Sequence, residues 1–133
     1  MKTYALDTNI ISFLMNNDIN VKKCFKEALA NGDRIVIPPI AYYEIKRGLL
    51  HNLAPRKEVA FLEMCKLYEI VDIKKGCYDK AAEIYAYTRK IGKSIEDADI
   101  LIAALCIVND YVLVTDNQKH FADIKDLSVD NWC

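Results

Sequence analysis

The chain has few of the residues that most readily point to a function. Its 133 residues include four glycines, three prolines and two histidines, and its formal net charge is −1 at neutral pH. No segment has the low hydrophobicity of a disordered tail. The near-zero net charge excludes overall basicity as a means of holding nucleic acid, so a polyanion would have to bind a local basic patch or a metal ion.

Several motifs of known chemistry are missing. The chain has no zinc-protease helix, no glycine-rich phosphate loop and no G-x-S-x-G nucleophile motif. The five cysteines form no C-x-x-C site, and no signal peptide is evident ahead of the first strand, so we expect reduced thiols in a cytoplasmic protein. No apolar run approaches the roughly 20 residues that span a membrane, so we expect no membrane association.

Strand and helix patterns alternate along the whole chain. Short β-branched or apolar runs predict strands, and apolar residues spaced three and four apart predict helices. The predicted strands are Thr3–Leu6, Arg34–Ile37, Glu69–Ile73, Tyr111–Val114 and Leu127–Val129. The predicted helices are Asn9–Met15, Val21–Ala30, Ile40–Leu50, one beginning at Pro55, Tyr78–Ile91, Asp97–Asn109 and a single turn at Asn117–Phe121.

This alternation predicts an α/β fold. We expect a single domain over residues 1–133, with a central, mostly parallel sheet of four to five strands flanked by helices. Right-handed crossovers place the carboxyl ends of parallel strands at one edge of the sheet. Ligands of open α/β sheets bind at that edge, and we therefore expect the functional site there.

Acidic residues lie where this edge is predicted. Asp7 follows the first strand, and Asp116 follows the strand that ends near Val114. Glu44 and Asp99 stand in the early turns of helices that begin at the same edge. Crowded carboxylates repel each other unless a cation lies among them, and Mg²⁺ and Mn²⁺ prefer carboxylate and water oxygens. The four acids therefore predict a divalent-metal site suited to phosphodiester chemistry.

Each acidic segment also has a structural interpretation. Asp7-Thr8-Asn9 and Thr115-x-x-Gln118 are typical of helix caps, and Ser94-x-x-Asp97 resembles a capping box, so we interpret Asp97 as a cap. Glu44 alone could be a solvated acid paired with a neighbouring lysine or arginine. One segment by itself favours these interpretations, whereas the four in this order on one predicted edge favour a shared site.

Other polar residues complete the predicted site. Asn9, Thr115 and Asn117 lie close enough in sequence to the acids to support them. Arg89 and Lys93 are the best candidates for phosphate contacts, because their loop leads into the helix that carries Asp99. Alternatively, both residues are ordinary solvent-exposed surface charges, since charged side chains are mostly exposed.

These motifs resemble the PIN domain family, and more narrowly the VapC toxins of bacterial toxin–antitoxin pairs. The matching segments are Leu6-Asp7-Thr8-Asn9-Ile10-Ile11, Glu44-Ile45-Lys46-Arg47-Gly48, Asp99-Ile100-Leu101-Ile102-Ala103-Ala104, and Leu113-Val114-Thr115-Asp116-Asn117 followed by His120-Phe121. The resemblance implies a Mg²⁺- or Mn²⁺-dependent endoribonuclease that cleaves RNA, a cognate antitoxin that blocks it, and a homodimer. The helices between Tyr42 and Tyr68 offer one possible dimer surface.

The resemblance also implies roles for individual residues. Asp7 and Asp99 are expected to hold the metal ion, and Glu44 to orient or deprotonate the attacking water. Family members often carry the last acid two residues after the threonine, where this chain has Asn117, so either Asp116 or Asn117 fills that position. Two alternatives stay open: a PIN-like module that serves only in binding or assembly, and a PIN-type nuclease outside a toxin–antitoxin pair.

Overall fold

The computed structural model describes residues 1–133. Five strands alternate with six α-helices and one 3-10 turn. The strands are β1 (Thr3–Leu6), β2 (Arg34–Ile37), β3 (Glu69–Ile70), β4 (Val112–Val114) and β5 (Ser128–Asp130). The helices are α1 (Thr8–Met15), α2 (Ile19–Ala30), α3 (Pro39–His51), α4 (Pro55–Leu67), α5 (Lys75–Lys90) and α6 (Asp97–Asn109), with the 3-10 turn at Gln118–Phe121. No helix is both long and apolar enough to cross a bilayer.

All five strands join in one parallel sheet in the order β3-β2-β1-β4-β5. The chain builds outward from β1 to β3 and then returns to the other side of β1 to add β4 and β5. The direction of winding therefore switches between β1 and β4, where Leu6 pairs with Val114. A switch point of this kind leaves a crevice beyond the carboxyl ends of the two strands.

Helices cover both faces of the sheet, because side chains along each strand alternate between the faces. In β2, Val36 packs with the core beneath α5 and α6, whereas Ile35 and Ile37 pack with the core beneath the first four helices. Helix α6 is apolar over most of its length and buries Ile100 and the run from Ile102 to Cys106. Its amino-terminal turn, which carries Asp99, is thereby held at the carboxyl edge of the sheet.

The lengths of several elements differ from the predicted ones. Helix α2 begins at Ile19 because the Asp18 side chain accepts a hydrogen bond from the Val21 N–H at 3.0 Å and caps it earlier. Strand β3 ends at Ile70. One further bond joins the Val71 N–H to the Ile37 carbonyl at 3.1 Å, and beyond it β2 gives way to Pro38, which has no N–H to pair. Helix α5 begins at Lys75, three residues before the predicted start, and the last strand is displaced by one residue.

Two predicted caps are wrong. Helix α6 begins after Glu96 without any side-chain cap, and Ser94 accepts a hydrogen bond from Arg89 instead of bonding the helix. Asp97 is the first helical residue and is exposed. The capping box at Thr115 does not form, because the Thr115 hydroxyl binds a distant carboxylate, and the 3-10 turn has no side-chain cap.

Candidate active site

Asp7 lies at the switch point, directly after β1. Its backbone N–H donates to the Val114 carbonyl at 2.9 Å, which extends the pairing of β1 with β4 by one bond. Its carboxylate accepts hydrogen bonds from the Thr8 N–H at 2.8 Å and from the Thr115 hydroxyl at 2.7 Å. Asp7 is only 6% exposed. It therefore caps α1 and also presents a fixed, nearly buried carboxylate to the crevice.

Glu44 reaches the crevice from α3, which begins at Pro39 and places this residue in its second turn. The Thr8 hydroxyl donates to Glu44 Oε1 at 2.7 Å. Arg47 Nη2 lies 3.8 Å from the second oxygen, Oε2. Glu44 is thus tied to the residue that follows Asp7, and one of its oxygens is not hydrogen-bonded.

Asp99 enters from the first turn of α6, where the positive end of the helix dipole favours a carboxylate. The imidazole Nε2 of His120 lies 3.0 Å from Asp99 Oδ2. In the sequence, His120 stands only in a segment that matches the PIN domain family, and no role was predicted for it. Its position could have indicated its role. His120 lies in the 3-10 turn that follows β4, and a side chain there can contact residues at the switch point.

The acids lie close enough to affect one another's ionisation. Burial is the main cause of the raised pKa of Asp99, and the negative charge of Asp7 adds to it, with smaller contributions from Glu96 and Glu44. Burial likewise raises the pKa of Asp7, while its hydrogen bonds from Thr115 and Thr8 lower it. His120 lowers both pKa values. Repulsion among these carboxylates is the electrostatic situation that a bound cation relieves.

The donor set fits a hard divalent cation, although it is not a closed cage. No three histidine, cysteine or acidic side chains converge closely enough to form a complete metal cluster. Mg²⁺ does not need one, because it commonly binds through one or two carboxylates and keeps several waters. Asp7 and Asp99 supply two carboxylates, which are oxygen ligands of the kind that Mg²⁺ prefers.

The loop after β4 does not bring Asp116 to these acids. The Asp116 N–H donates to the amide oxygen of Asn9 at 3.2 Å, so Asn9 fixes this loop to α1. The Asp116 side chain lies beside the carboxy-terminal Cys133, where desolvation and this carboxylate raise the pKa of the thiol to about 11. The Asn117 N–H donates to the Thr115 hydroxyl at 3.1 Å. The structure therefore brings together Asp7, Glu44 and Asp99, with Asp116 turned away.

Arg89 and Lys93 make no contact with the three acids and are engaged elsewhere in the protein. Helix α5 packs along α6 with Cys77 near Asn109, so its carboxyl end lies next to the turn that carries Asp99. Arg89 lies over the ring of Tyr85, with 4.6 Å from its Cζ to the ring centroid. Lys93 Nζ is 3.9 Å from an Asp123 carboxylate oxygen. Both cations therefore lie near the amino-terminal end of α6, at the carboxyl edge of the sheet.

The fold and this site define an α/β protein with an acidic crevice at the switch point of a parallel sheet. The sequence profile of the PIN domain family matches residues 4–127. The chain belongs to the PIN domain family.

The similar proteins are VapC ribonucleases. Ribonuclease VapC1 of Haemophilus influenzae is 31% identical over 135 aligned positions, covering 97% of each chain. Ribonuclease VapC2 of Rickettsia felis is 29% identical over 130 positions, again 97% of each. The tRNA(fMet)-specific endonuclease VapC of Salmonella typhimurium is 26% identical over the full length of both chains.

Solved structures of the same group share the fold. The VapBC2 complex of Rickettsia felis, bound to a DNA fragment from its promoter, superposes with a TM-score of 0.90 at 27% identity, over 98% of this chain and 99% of the other. The VapBC-1 complex of nontypeable Haemophilus influenzae gives a TM-score of 0.87 at 27% identity, over 98% of each chain. The predicted resemblance to VapC toxins and the predicted α/β fold are confirmed.

Proposed function

We propose that this protein is a divalent-metal-dependent endoribonuclease and the toxin of a toxin–antitoxin pair. The observation that carries the proposal is the meeting of Asp7, Glu44 and Asp99 at the switch point, with the pKa values of both aspartates raised. The similarity to VapC ribonucleases over the length of both chains supports it.

Asp7 and Asp99 are the residues we assign to holding Mg²⁺ or Mn²⁺. When bound, such an ion supplies Lewis acidity at a phosphate oxygen and lowers the pKa of a coordinated water. The Thr8 N–H and the Thr115 hydroxyl hold the Asp7 carboxylate in one orientation. The imidazole Nε2 of His120, 3.0 Å from Asp99 Oδ2, restrains the second carboxylate by close contact. These bonds reduce the side-chain freedom that ligand binding would otherwise have to remove.

Glu44 is the residue we assign to orienting the attacking water and accepting its proton. Its Oε1 is held by the Thr8 hydroxyl, and its Oε2 has no hydrogen-bond donor closer than Arg47 at 3.8 Å. The free oxygen can accept the proton as the water oxygen forms its bond to phosphorus, while the ester bond from phosphorus to one ribose oxygen breaks and that oxygen departs to take a proton from solvent. For the fourth position we favour Asn117 over Asp116, because the Asn117 backbone N–H donates to the Thr115 hydroxyl at the site, whereas the Asp116 side chain lies beside Cys133.

The direct test is cleavage of RNA by the purified protein, with Mg²⁺ and with EDTA. Asp99→Asn should reduce cleavage by at least about a hundredfold, because second-shell changes alone commonly cost 10- to 100-fold. Asp97→Asn is the matched control, since Asp97 is exposed on the same turn of α6. The assignment is wrong if Asp99→Asn cuts RNA at the wild-type rate, and absence of cleavage by the wild type in any metal would favour a non-catalytic module.

We further propose that a cognate antitoxin protein blocks the crevice. The similar solved structures are VapBC toxin–antitoxin complexes, which supports such a partner. A protein encoded next to this chain, with a DNA-binding amino-terminal part, should co-purify with it and stop cleavage. Cleavage that persists in the presence of every neighbouring gene product would place the nuclease outside a toxin–antitoxin pair.

A homodimer in the cytoplasm is the remaining part of this proposal. Tyr42 packs within the chain against Phe61, but other apolar residues of α3, α4 and their connection are exposed, namely Leu50, Leu53, Val59 and Leu67. All five cysteines are free, which suits a reducing compartment. Light scattering should give twice the chain mass for the wild type and the monomer mass for Val59→Asp; a monomeric wild type would contradict the dimer.

A further inference from the structure

A groove leads away from the acids between α1 and α3. Residues spaced four apart on a helix lie on one face, and here two such stripes face each other. The hydrogen bond from Thr8 to Glu44 joins the stripes at the end nearest the crevice. The groove between them is lined by Thr8, Ser12 and Asn16 on one side and by Glu44, Gly48 and Asn52 on the other.

The groove is apolar at its floor and polar at its walls. Ile45 and Leu49 are buried and form part of the floor. Three wall residues, Ser12, Asn16 and Asn52, make no side-chain hydrogen bond within the protein. A hydroxyl and two amides both donate and accept. This combination suits a nucleobase, whose faces are apolar and whose edges carry donors and acceptors.

Gly48 keeps this groove open. It lies within α3, where glycine is destabilising relative to alanine because it loses more backbone freedom on folding. A Cβ at this position would meet no atom within 4 Å, so close packing does not require the glycine. A long side chain here would instead extend into the groove.

A cation stands at the far end of the groove. Lys57 lines it and forms no ion pair within the protein. Helix α4 begins at Pro55 without a side-chain cap, and its first turn carries Arg56 and Lys57 beside Glu58, which pairs with Lys46 at 3.3 Å. The positive end of the helix dipole adds to the charges of Arg56 and Lys57. The groove spans about 12 Å from Thr8 to Asn16, at 1.5 Å of helix rise per residue. That length accommodates a nucleoside with an anionic group at its end.

We propose that this groove is an RNA subsite for the nucleotide next to the scissile phosphate. The base lies over Ile45 and Leu49, the amides of Asn16 and Asn52 bind base-edge or ribose groups, and Lys57 binds the adjoining phosphate. This inference rests on the proposed ribonuclease function. It adds that α1 and α3 together bind one nucleotide of the RNA substrate.

The first test fills the groove. Gly48→Leu should raise the KM for a single-stranded oligoribonucleotide about tenfold, the equivalent of losing the stacking of one base. Gly76→Leu is the control, because Gly76 also lies in a helix, on α5, with open space around a Cβ. Circular dichroism should show both variants folded. A Gly48→Leu protein with the wild-type KM would overturn the proposal.

The second test removes the cation and does not depend on cleavage. Binding of the oligoribonucleotide in EDTA is measured by fluorescence anisotropy at several salt concentrations. Lys57→Ala should reduce the slope of log K against log salt by about 0.7, the contribution of one phosphate contact on a single strand. Lys26→Ala, which removes an exposed and unpaired lysine of α2 outside the groove, should leave the slope unchanged. An unchanged slope for Lys57→Ala counts against the subsite.

A third measurement separates failure of the subsite from failure of the proposed function. In ¹H–¹⁵N NMR spectra, 5′-mononucleotides should shift the side-chain amide signals of Asn16 and Asn52, and Gly48→Leu should abolish the shifts. If the wild type cuts no RNA, the proposed function fails and this titration alone decides the subsite. If RNA is cut and neither variant differs from wild type, the subsite fails while the function stands. Normal cleavage by Gly48→Leu with weaker inhibition by the antitoxin would assign the groove to protein instead.

Discussion

The hydroxyl of Thr115 offers a sharp test of how the acidic site is held. Thr115 is fully buried, and its hydroxyl donates to Asp7 Oδ2 at 2.7 Å and accepts from the Asn117 N–H at 3.1 Å. Thr115→Val keeps the shape of the side chain and removes both bonds. A hydrogen bond to a charged group contributes about 1.5–3 kcal/mol. We expect the free energy of unfolding to fall by roughly 2–3 kcal/mol, or about 8–12 °C in Tm for a chain of this size.

The same change should alter the pH dependence in a defined direction. The Thr115 hydrogen bond lowers the pKa of Asp7, so its removal raises this pKa further. Because the carboxylate form is the one that binds a cation, the rise of RNA cleavage with pH should move to higher pH in Thr115→Val. The loss of stability should be greatest where Asp7 is ionised. It should shrink as the pH falls through the raised pKa of Asp7 in the folded protein, because a protonated Asp7 no longer depends on the Thr115 donor to stabilise its charge.

Thr88→Val is the matched control. Thr88 is also fully buried, but its hydroxyl bonds the carbonyls of Ile84 at 2.9 Å and Tyr85 at 3.2 Å and touches no carboxylate. Its removal should cost about 1 kcal/mol or less, because those carbonyls belong to α5 and keep their helical bonds. Urea denaturation at pH 7 and pH 3 and cleavage rates across pH measure both variants. Equal stability losses and identical pH profiles for the two would refute the reasoning.

Three further predictions concern neighbouring features. Asp99→Asn should stabilise the metal-free protein at pH 7, because burial and the charge of Asp7 raise the pKa of Asp99, so that its charged form opposes folding. This gain in the free energy of unfolding should vanish below pH 3.8. Urea denaturation that shows a lower free energy of unfolding at pH 7 would contradict the prediction. Mg²⁺ should raise the Tm of the wild type in proportion to the logarithm of its concentration and raise that of Asp99→Asn less, so equal shifts in a thermal melt would argue against Asp99 as a ligand. Gly92→Ala should lower the free energy of unfolding by roughly 1–2 kcal/mol, since Gly92 has φ +78° and a Cβ is strained there; a melt identical to wild type would show that the loop relaxes.

Local patterns in the sequence were sufficient to predict most of the fold. The pattern of apolar residues repeats within a few positions in both a strand and a helix, so neighbouring residues alone determine the type of element. Examples are the β-branched strand Arg34–Ile37 and the apolar helix Asp97–Asn109. The position of Asp7 and Glu44 at one edge followed from a general rule on parallel crossovers, not from any contact. Prediction was weaker at the ends of elements, as at α2 and β3, because caps and strand partners decide where an element stops.

The sequence by itself determined the alternation of elements, the parallel sheet and the placing of the acids at its carboxyl edge. Only the tertiary structure decided which side chains meet there. Thr115 bonds Asp7, which lies 108 positions away, instead of capping the turn that follows it, and His120 turns to Asp99. Asp116 turns to Cys133, away from the other acids. In each case several partners compete for one polar group, and the outcome depends on distances that arise only when β1 and β4 are packed side by side.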